Sequence, residues 1–228
     1  PDANFKSALL VHHPVLDTNG DGEIQCAEAA NLTGLLNLNA KNISDLTGLE
    51  AFTNITQLSC YNNFITSMDL SQNVALISVN CYGNQLTTLD VSNNPALTAL
   101  TCSDNLLTSL NVANGNNHNF TTVFTPLNSN LTCIEVDDLV YSSINWTGVN
   151  FSKPSGASYN EICGSPGCVV NFPDVNFKAA VLNNTPTVDV NGDGEIQCAE
   201  AAAFNGMLAI NNQQISNPAG IEAFLSLT

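Results

Sequence analysis

The sequence predicts an α+β repeat protein, a solenoid of short coils whose strands line up in a parallel sheet beneath small helical caps. Two observations carry this expectation. A 21-residue pattern recurs three times in the middle of the chain, and the first 56 residues return at its end, offset by 172. A third observation bounds the partners. The 228 residues hold 4 Lys and Arg against 20 Asp and Glu, a formal net charge of −16. Nucleic acid and anionic membrane surfaces are both recognised through basic stripes, so neither is an expected partner. No apolar run approaches the ~18–20 residues that cross a bilayer, and no membrane insertion is expected.

The long repeat sets the organisation. Pro1-Asp2-Ala3-Asn4-Phe5-Lys6 returns as Pro173-Asp174-Val175-Asn176-Phe177-Lys178, and residues 1–56 lie over 173–228 without a gap, with 31 of the 56 positions identical. The chain is therefore expected to hold one full module and the start of a second. The expected divisions are a helical cap at 1–33, a solenoid at 34–138, a C-terminal cap and linker at 139–172, a second helical cap at 173–206 and the start of a second solenoid at 207–228.

In the first cap, Asp2–Val11 has the apolar spacing of a short amphipathic helix with Phe5, Leu9 and Leu10 inward, and Ile24–Leu32 that of another. Between them stands a twelve-residue stretch, Asp17-Thr18-Asn19-Gly20-Asp21-Gly22-Glu23-Ile24-Gln25-Cys26-Ala27-Glu28. Its order is that of an EF-hand loop: oxygen ligands at positions 1, 3 and 5, glycine at 6 for a sharp turn, a main-chain carbonyl at 7 and a carboxylate able to give two oxygens at 12. Asp17, Asn19, Asp21, the Glu23 carbonyl and Glu28 are the candidate ligands. Asp189, Asn191, Asp193, Glu195 and Glu200 repeat them in the second cap, so two Ca²⁺ sites are expected. Hard oxygen donors in this number favour Ca²⁺ over Mg²⁺ or Zn²⁺. Each loop stands without a second loop to pair with, and the chain has two Met, so a static clamp is expected rather than a sensor that opens a Met-rich groove.

The coils follow. Leu58-Ser59-Cys60-Tyr61-Asn62-Asn63-Phe64-Ile65, Val79-Asn80-Cys81-Tyr82-Gly83-Asn84-Gln85-Leu86 and Leu100-Thr101-Cys102-Ser103-Asp104-Asn105-Leu106-Leu107 are in register at 21 residues. They match the leucine-rich-repeat template of alternating Leu or Cys positions closed by Asn. One coil cannot bury its apolar face alone, so like positions stack, and the Asn row supplies both a donor and an acceptor to the turn backbone. An atypical coil is expected at Leu35–Leu49, with Leu38, Ala40, Ile43, Leu46 and Leu49 apolar. A last coil is expected at Leu131-Thr132-Cys133-Ile134, after an Asn-rich insertion at 113–130. Tyr141, Ile144, Trp146, Val149 and Phe151 are expected to close the array.

Of the eight cysteines, Cys60, Cys81 and Cys102 are expected as stacked, buried thiols. Cys133 with Cys163, and Cys168 with Cys198, are the expected disulfides, which leaves Cys26 unpaired and points to an oxidising, extracellular setting. No nucleophile, phosphate-loop or zinc pattern stands out, so the chain is not expected to be an enzyme. The adjacent His12 and His13 are expected to be structural, since positions 184 and 185 are Asn and Thr. Tyr61 and Tyr82 are the candidate anchors on an otherwise plain outward strand face.

Taken in order, the Pro-Asp-x-Asn-Phe-Lys opening, the acidic loop, the Leu-x-Cys-x-x-Asn coils and Leu131–Asp137 with Trp146 resemble the secreted leucine-rich-repeat surface proteins of Bacteroidota-type bacteria. The resemblance implies export across the outer membrane, commonly by the type IX pathway, display at the cell surface or release, and interaction or scaffolding roles. Two functions are expected to compete. One is a calcium-stabilised tandem-repeat structural or adhesive protein that joins copies of itself, or further modules, end to end in a stalk or filament. The other is a ligand-binding module that recognises a surface protein or glycan.

Overall fold

The computed structural model of the chain describes residues 2–161, 163, 169–189, 194–197, 200–201, 204–224 and 227. It falls into two units, Pro1–Glu161 and Ile162–Thr228.

The first unit begins with α1 (Ala3–Leu10), whose N-cap Asp2 accepts hydrogen bonds from the backbone N–H groups of Asn4 and Phe5. Phe5, Ala8 and Leu9 are buried, whereas Leu10 is only partly so. The helix stops just before His12-His13-Pro14, because the residue preceding a proline disfavours helical backbone. After the acidic loop comes α2 (Cys26–Asn31), shorter than the spacing predicts because Gln25 is extended and acts as its N-cap.

Two parallel sheets then build the solenoid. The first comprises β1 (Gly34–Asn37), β2 (Ile55–Ser59), β3 (Ser78–Asn80), β5 (Ala99–Thr101) and β7 (Thr122–Phe124), in that order. Leu36, Leu58, Val79, Leu100 and Val123 share one register row and are all buried. The second comprises β4 (Thr88–Asp90), β6 (Ser109–Asn111), β8 (Cys133–Glu135) and β9 (Ser158–Asn160). The sequence suggests one strand per coil; the structure adds a second, three-residue strand to several coils.

Asn63, Asn84 and Asn105 form the expected buried row, and Asn128 extends it. The Asn84 amide donates to the Cys60 and Cys81 carbonyls at 3.1 and 3.0 Å, while its Oδ1 accepts the Ile65 N–H at 3.1 Å. Asn128 makes the same contacts with the Cys102 and Thr125 carbonyls and the Leu107 N–H. These groups are buried where no neighbouring strand reaches them, which is why an amide with both donor and acceptor is required. A second row, Asn73, Asn94 and Asn114, donates to carbonyls at the opposite turn.

Residues 113–130 are not an insertion outside the solenoid. They contain β7, paired with β5 through a step of 23 residues instead of 21, Ala99 to Thr122. Buried Thr125 takes the column position that Cys60, Cys81 and Cys102 hold. In consequence, Cys133-Ile134 belongs to the second sheet, where Ile134 stands beside Leu110. Ala40 also departs from expectation, exposed and at φ 52° in a turn.

The array is closed by α3 (Leu139–Asn145) and Trp146. The indole is buried between Phe120, Phe151 and Tyr159, at 5.5, 5.4 and 5.4 Å between ring centroids. Ile144 and Val149, expected in this lid, are instead 68% and 84% exposed.

In the second unit, α4 (Val175–Leu182) is capped by Asp174 as α1 is by Asp2. Its core gathers Val170, Phe177, Val181, Val188, Ile196, Ala201, Phe204 and Phe224.

Candidate functional site

The acidic loop is held by its own backbone. Asp17 Oδ1 accepts from the Gly20 N–H at 2.7 Å and the Asp21 N–H at 3.2 Å, and Oδ2 from the Gly22 N–H at 2.9 Å. Asn19 Oδ1 accepts from the Asp21 N–H and Asp21 Oδ1 from the Glu23 N–H, both at 2.9 Å. These contacts need the chain to reverse tightly, and it does so at Gly20 and Gly22, with φ of 74° and 80° in the region where glycine has no steric cost.

Glu28 closes the loop from the third position of α2. Its Oε1 accepts from the Thr18 N–H and hydroxyl, both at 2.7 Å, and its Oε2 from the Gln25 N–H at 3.1 Å. The Thr18 hydroxyl and then the Gln25 N–H hold the Glu28 carboxyl below its ordinary pKa; the Glu23 N–H and then the Gln25 amide do the same for Asp21. Lys6 pairs with the Glu23 carboxylate, leaving the Glu23 main-chain carbonyl apart from that ion pair.

The loop thus carries Asp17, Asn19, Asp21 and Glu28 in sequence order as hard oxygen donors, the chemistry that Ca²⁺ takes. In this geometry their oxygens are spent on N–H and hydroxyl donors. Among the described residues no three His, Cys, Asp or Glu side chains converge on one metal-sized point.

The second cap repeats what is described of this arrangement. The Gly194 N–H donates to Asp189 Oδ2 at 3.0 Å, with Gly194 at φ 82°; the Gln197 N–H donates to Glu200 Oε2 at 3.0 Å; Lys178 pairs with Glu195 at 2.6 Å. Asn191, Asp193, Cys168 and Cys198 lie outside the described residues.

A cross-link missed in the sequence ties each cap to its first coil. Asp2 Oδ2 accepts from the Ser44 N–H at 2.9 Å and hydroxyl at 2.7 Å, and Asp174 Oδ2 from the Ser216 N–H and hydroxyl, both at 2.7 Å. The serine hydroxyls, followed by the serine N–H groups, hold both carboxyls well below the ordinary range. The available signal was the retention of both Asp and Ser at the 172-residue offset.

His12 is buried and structural. Its Nε2 accepts the Asn37 N–H at 3.2 Å, so the proton sits on Nδ1 and is given to the Pro14 carbonyl at 3.2 Å. Asn184 makes the same pair in the second cap, donating to the Pro186 carbonyl at 3.0 Å and accepting the Ala209 N–H at 2.8 Å.

Cys60, Cys81 and Cys102 are free and buried, and burial pushes their thiols up, that of Cys81 to about 12. Cys133 and Cys163 are each disulfide-bonded, and Cys26 is a free, exposed thiol. On the strand face, Tyr82 is 37% exposed and Tyr61 is partly buried, whereas Ser103, at the equivalent position of the next coil, is buried.

No family model matches the chain. Over 73 residues, 32% of its length, it is 37% identical to internalin J of Listeria monocytogenes serotype 4b, and that stretch spans 8% of the relative. Among solved structures it is similar to the functional domain of internalin J from Listeria monocytogenes, which includes a cysteine ladder. That match has 30% identity and a TM-score of 0.39, covering 57% of this chain and 37% of the other. It is similar also to an internalin, inlF, from Listeria monocytogenes strain 4b F2365, at 20% identity and a TM-score of 0.43, covering 71% of this chain and 44% of the other. The stacked parallel strands, stepped by 21 and 23 residues, are arranged as in a leucine-rich-repeat solenoid.

Proposed function

We propose that this leucine-rich-repeat chain is a calcium-stabilised, tandemly repeated scaffold of the bacterial cell surface, of the secreted Bacteroidota type, in which 21-residue coils are stiffened by EF-hand-like caps. The observation that carries the reading is the recurrence of one loop in two caps, down to the Asp17–Gly22 and Asp189–Gly194 contacts and the paired lysine. Asp17, Asn19, Asp21, the Glu23 carbonyl and Glu28 would hold the ion in the first cap, and Asp189, Asn191, Asp193, the Glu195 carbonyl and Glu200 in the second. When bound, Ca²⁺ supplies a fixed double positive charge among carboxylates that no basic residue within the loop offsets. Asp17 and Glu28 then fasten the loop to α2, while Asp2 fastens α1 to the first coil.

The disulfide-bonded state of Cys133 and Cys163 supports an oxidising, extracellular location. Among the described residues no helix is long and apolar enough to cross a membrane. End-to-end joining of modules or copies is the assembly this reading implies, because solenoid coils expose sheet edges that pair. Sedimentation velocity and negative-stain microscopy of the calcium form test it. Rods that lengthen with concentration are the expected result, and monomers at every concentration would refute the assembly of separate copies.

Tyr82 favours a second reading, a module that binds a surface protein or glycan through the first sheet. Arrays of such partners are expected to show binding that falls when Tyr61 and Tyr82 are both replaced by Ala.

A further inference from the structure

We infer that a donor-lined cavity, where the end of α1 meets the first coils, takes the carboxylate of an acidic sugar of the uronic acid class. This rests on the second reading, binding through the first sheet, and adds to it a site and a class of ligand.

The cavity measures about 380 Å³, the size of a small-molecule site. Ala8, Val11 and His13 reach it from α1 and the turn that follows, Asn37 from β1, and Asn39, Lys41 and Tyr61 from the coils. The chain carries 20 Asp and Glu, yet no carboxylate lines this cavity among the described residues.

Its acceptors are already spent. Asn37 Oδ1 accepts the Asn39 N–H at 3.2 Å, and Asn39 Oδ1 accepts the Ser59 hydroxyl at 2.8 Å and the Tyr61 N–H at 3.1 Å. Each amide is thus bonded through its oxygen and keeps its NH₂ end, which has no acceptor among the described residues. Lys41 supplies the charge. Lys6 and Lys178 pair with Glu23 and Glu195, and Lys153 donates to the Ala157 carbonyl, whereas the Lys41 ammonium has no acceptor among the described residues. The Lys41 backbone is held by its own N–H on Asn63 Oδ1 at 3.0 Å. An ammonium beside amide NH₂ groups offers a carboxylate charge-assisted hydrogen bonds, the stronger kind. Ala8, Val11 and the Tyr61 ring add apolar surface that suits the C–H face of a pyranose and that a bare anion would not use.

The second cap is a built-in control. Asn184 keeps the hydrogen bonds of His12, but Gln213, Thr185 and Ala209 stand where the first module has Lys41, His13 and Asn37. The contacts that hold the cap are retained and the donors are not, so the cap itself does not require them. The segment leading into the second cap lies against Ile196, Phe177 and Gly220. The corresponding Ile24, Phe5 and Gly48 are not among the residues that line this cavity.

The test is calorimetric titration of the full chain with trigalacturonate, with its methyl ester and with inorganic phosphate. Saturable binding of the acid is expected, with the ester and phosphate each at least about tenfold weaker. Lys41→Gln copies the second cap, so it is expected to leave the melting temperature unchanged while weakening trigalacturonate at least about tenfold. No saturation at millimolar trigalacturonate, or a Lys41→Gln variant that binds as the parent does, would overturn the proposal. Phosphate bound as tightly as the sugar acid would overturn it too, since the site would then be one for anions at large. Acid and ester bound alike, and lost only when Tyr61 and Tyr82 are both replaced by Ala, would overturn this site while keeping the second reading.

Discussion

At the scale of single residues, the two caps provide paired controls. His12 and Asn184 make one hydrogen-bonding pattern with different chemistry, each giving a proton to a proline carbonyl and receiving an N–H. His12→Asn is therefore expected to leave stability nearly unchanged. His12→Ala orphans the Asn37 N–H and the Pro14 carbonyl and is expected to cost about 1–3 kcal/mol in urea unfolding. Asp2 and Asp174 give a pH dependence. Their folded pKa lies below the unfolded value of about 3.9, so the stability they contribute is complete above that pH and is lost as the pH falls further. Acid unfolding of the double variant Asp2→Asn, Asp174→Asn is expected to be flatter below about pH 4 than that of the parent. An unaltered slope would remove these carboxylates from the account. Cysteine reactivity should divide by burial, because the thiolate is the reactive form. Cys26 is expected to be alkylated in the native state while Cys60, Cys81 and Cys102 remain unmodified until unfolding, as peptide mapping would read.

At the scale of elements, stability resides in the asparagine rows. Asn84→Ala removes one of two amide donors from each of the Cys60 and Cys81 carbonyls and orphans the Ile65 N–H, all buried, and is expected to cost about 1–3 kcal/mol. Asn54→Ala, which loses one exposed bond to the Ala30 carbonyl, is expected to cost below about 1 kcal/mol in the same assay. This difference explains what the sequence made legible. Coils with Cys and Asn at fixed spacing were readable because each of those residues answers a buried need that recurs every turn. The coil at 113–130 was hidden by two substitutions of pattern: Thr125 stands in the cysteine column and the step is two residues longer. Strands β4 and β6 were hidden because each is three residues long and buries a single side chain, Leu89 or Leu110, too short for strand alternation to show. The acidic loop was legible in full as a pattern, but the Asp2–Ser44 tie was not, since its partners stand 42 residues apart.

At the scale of the whole molecule, a net charge of −16 sets the electrostatic problem. Like charges resist compaction, and divalent ions held at the acidic loops would relieve that repulsion. The acidic pattern stands in both units, at Asp17–Glu28 and Asp189–Glu200, so each unit is expected to respond to calcium separately. Any ligand that binds only the folded form raises its stability by mass action. Glu28→Gln is expected to remove the response of the first unit and spare that of the second, seen as a split calorimetric transition in calcium. The most direct test is the melting of the unaltered chain in millimolar CaCl₂ against the same protein in excess EGTA. The account predicts a transition higher in calcium by about 4 °C or more, reversible on chelation. Superimposable melting curves in the two solutions would contradict it.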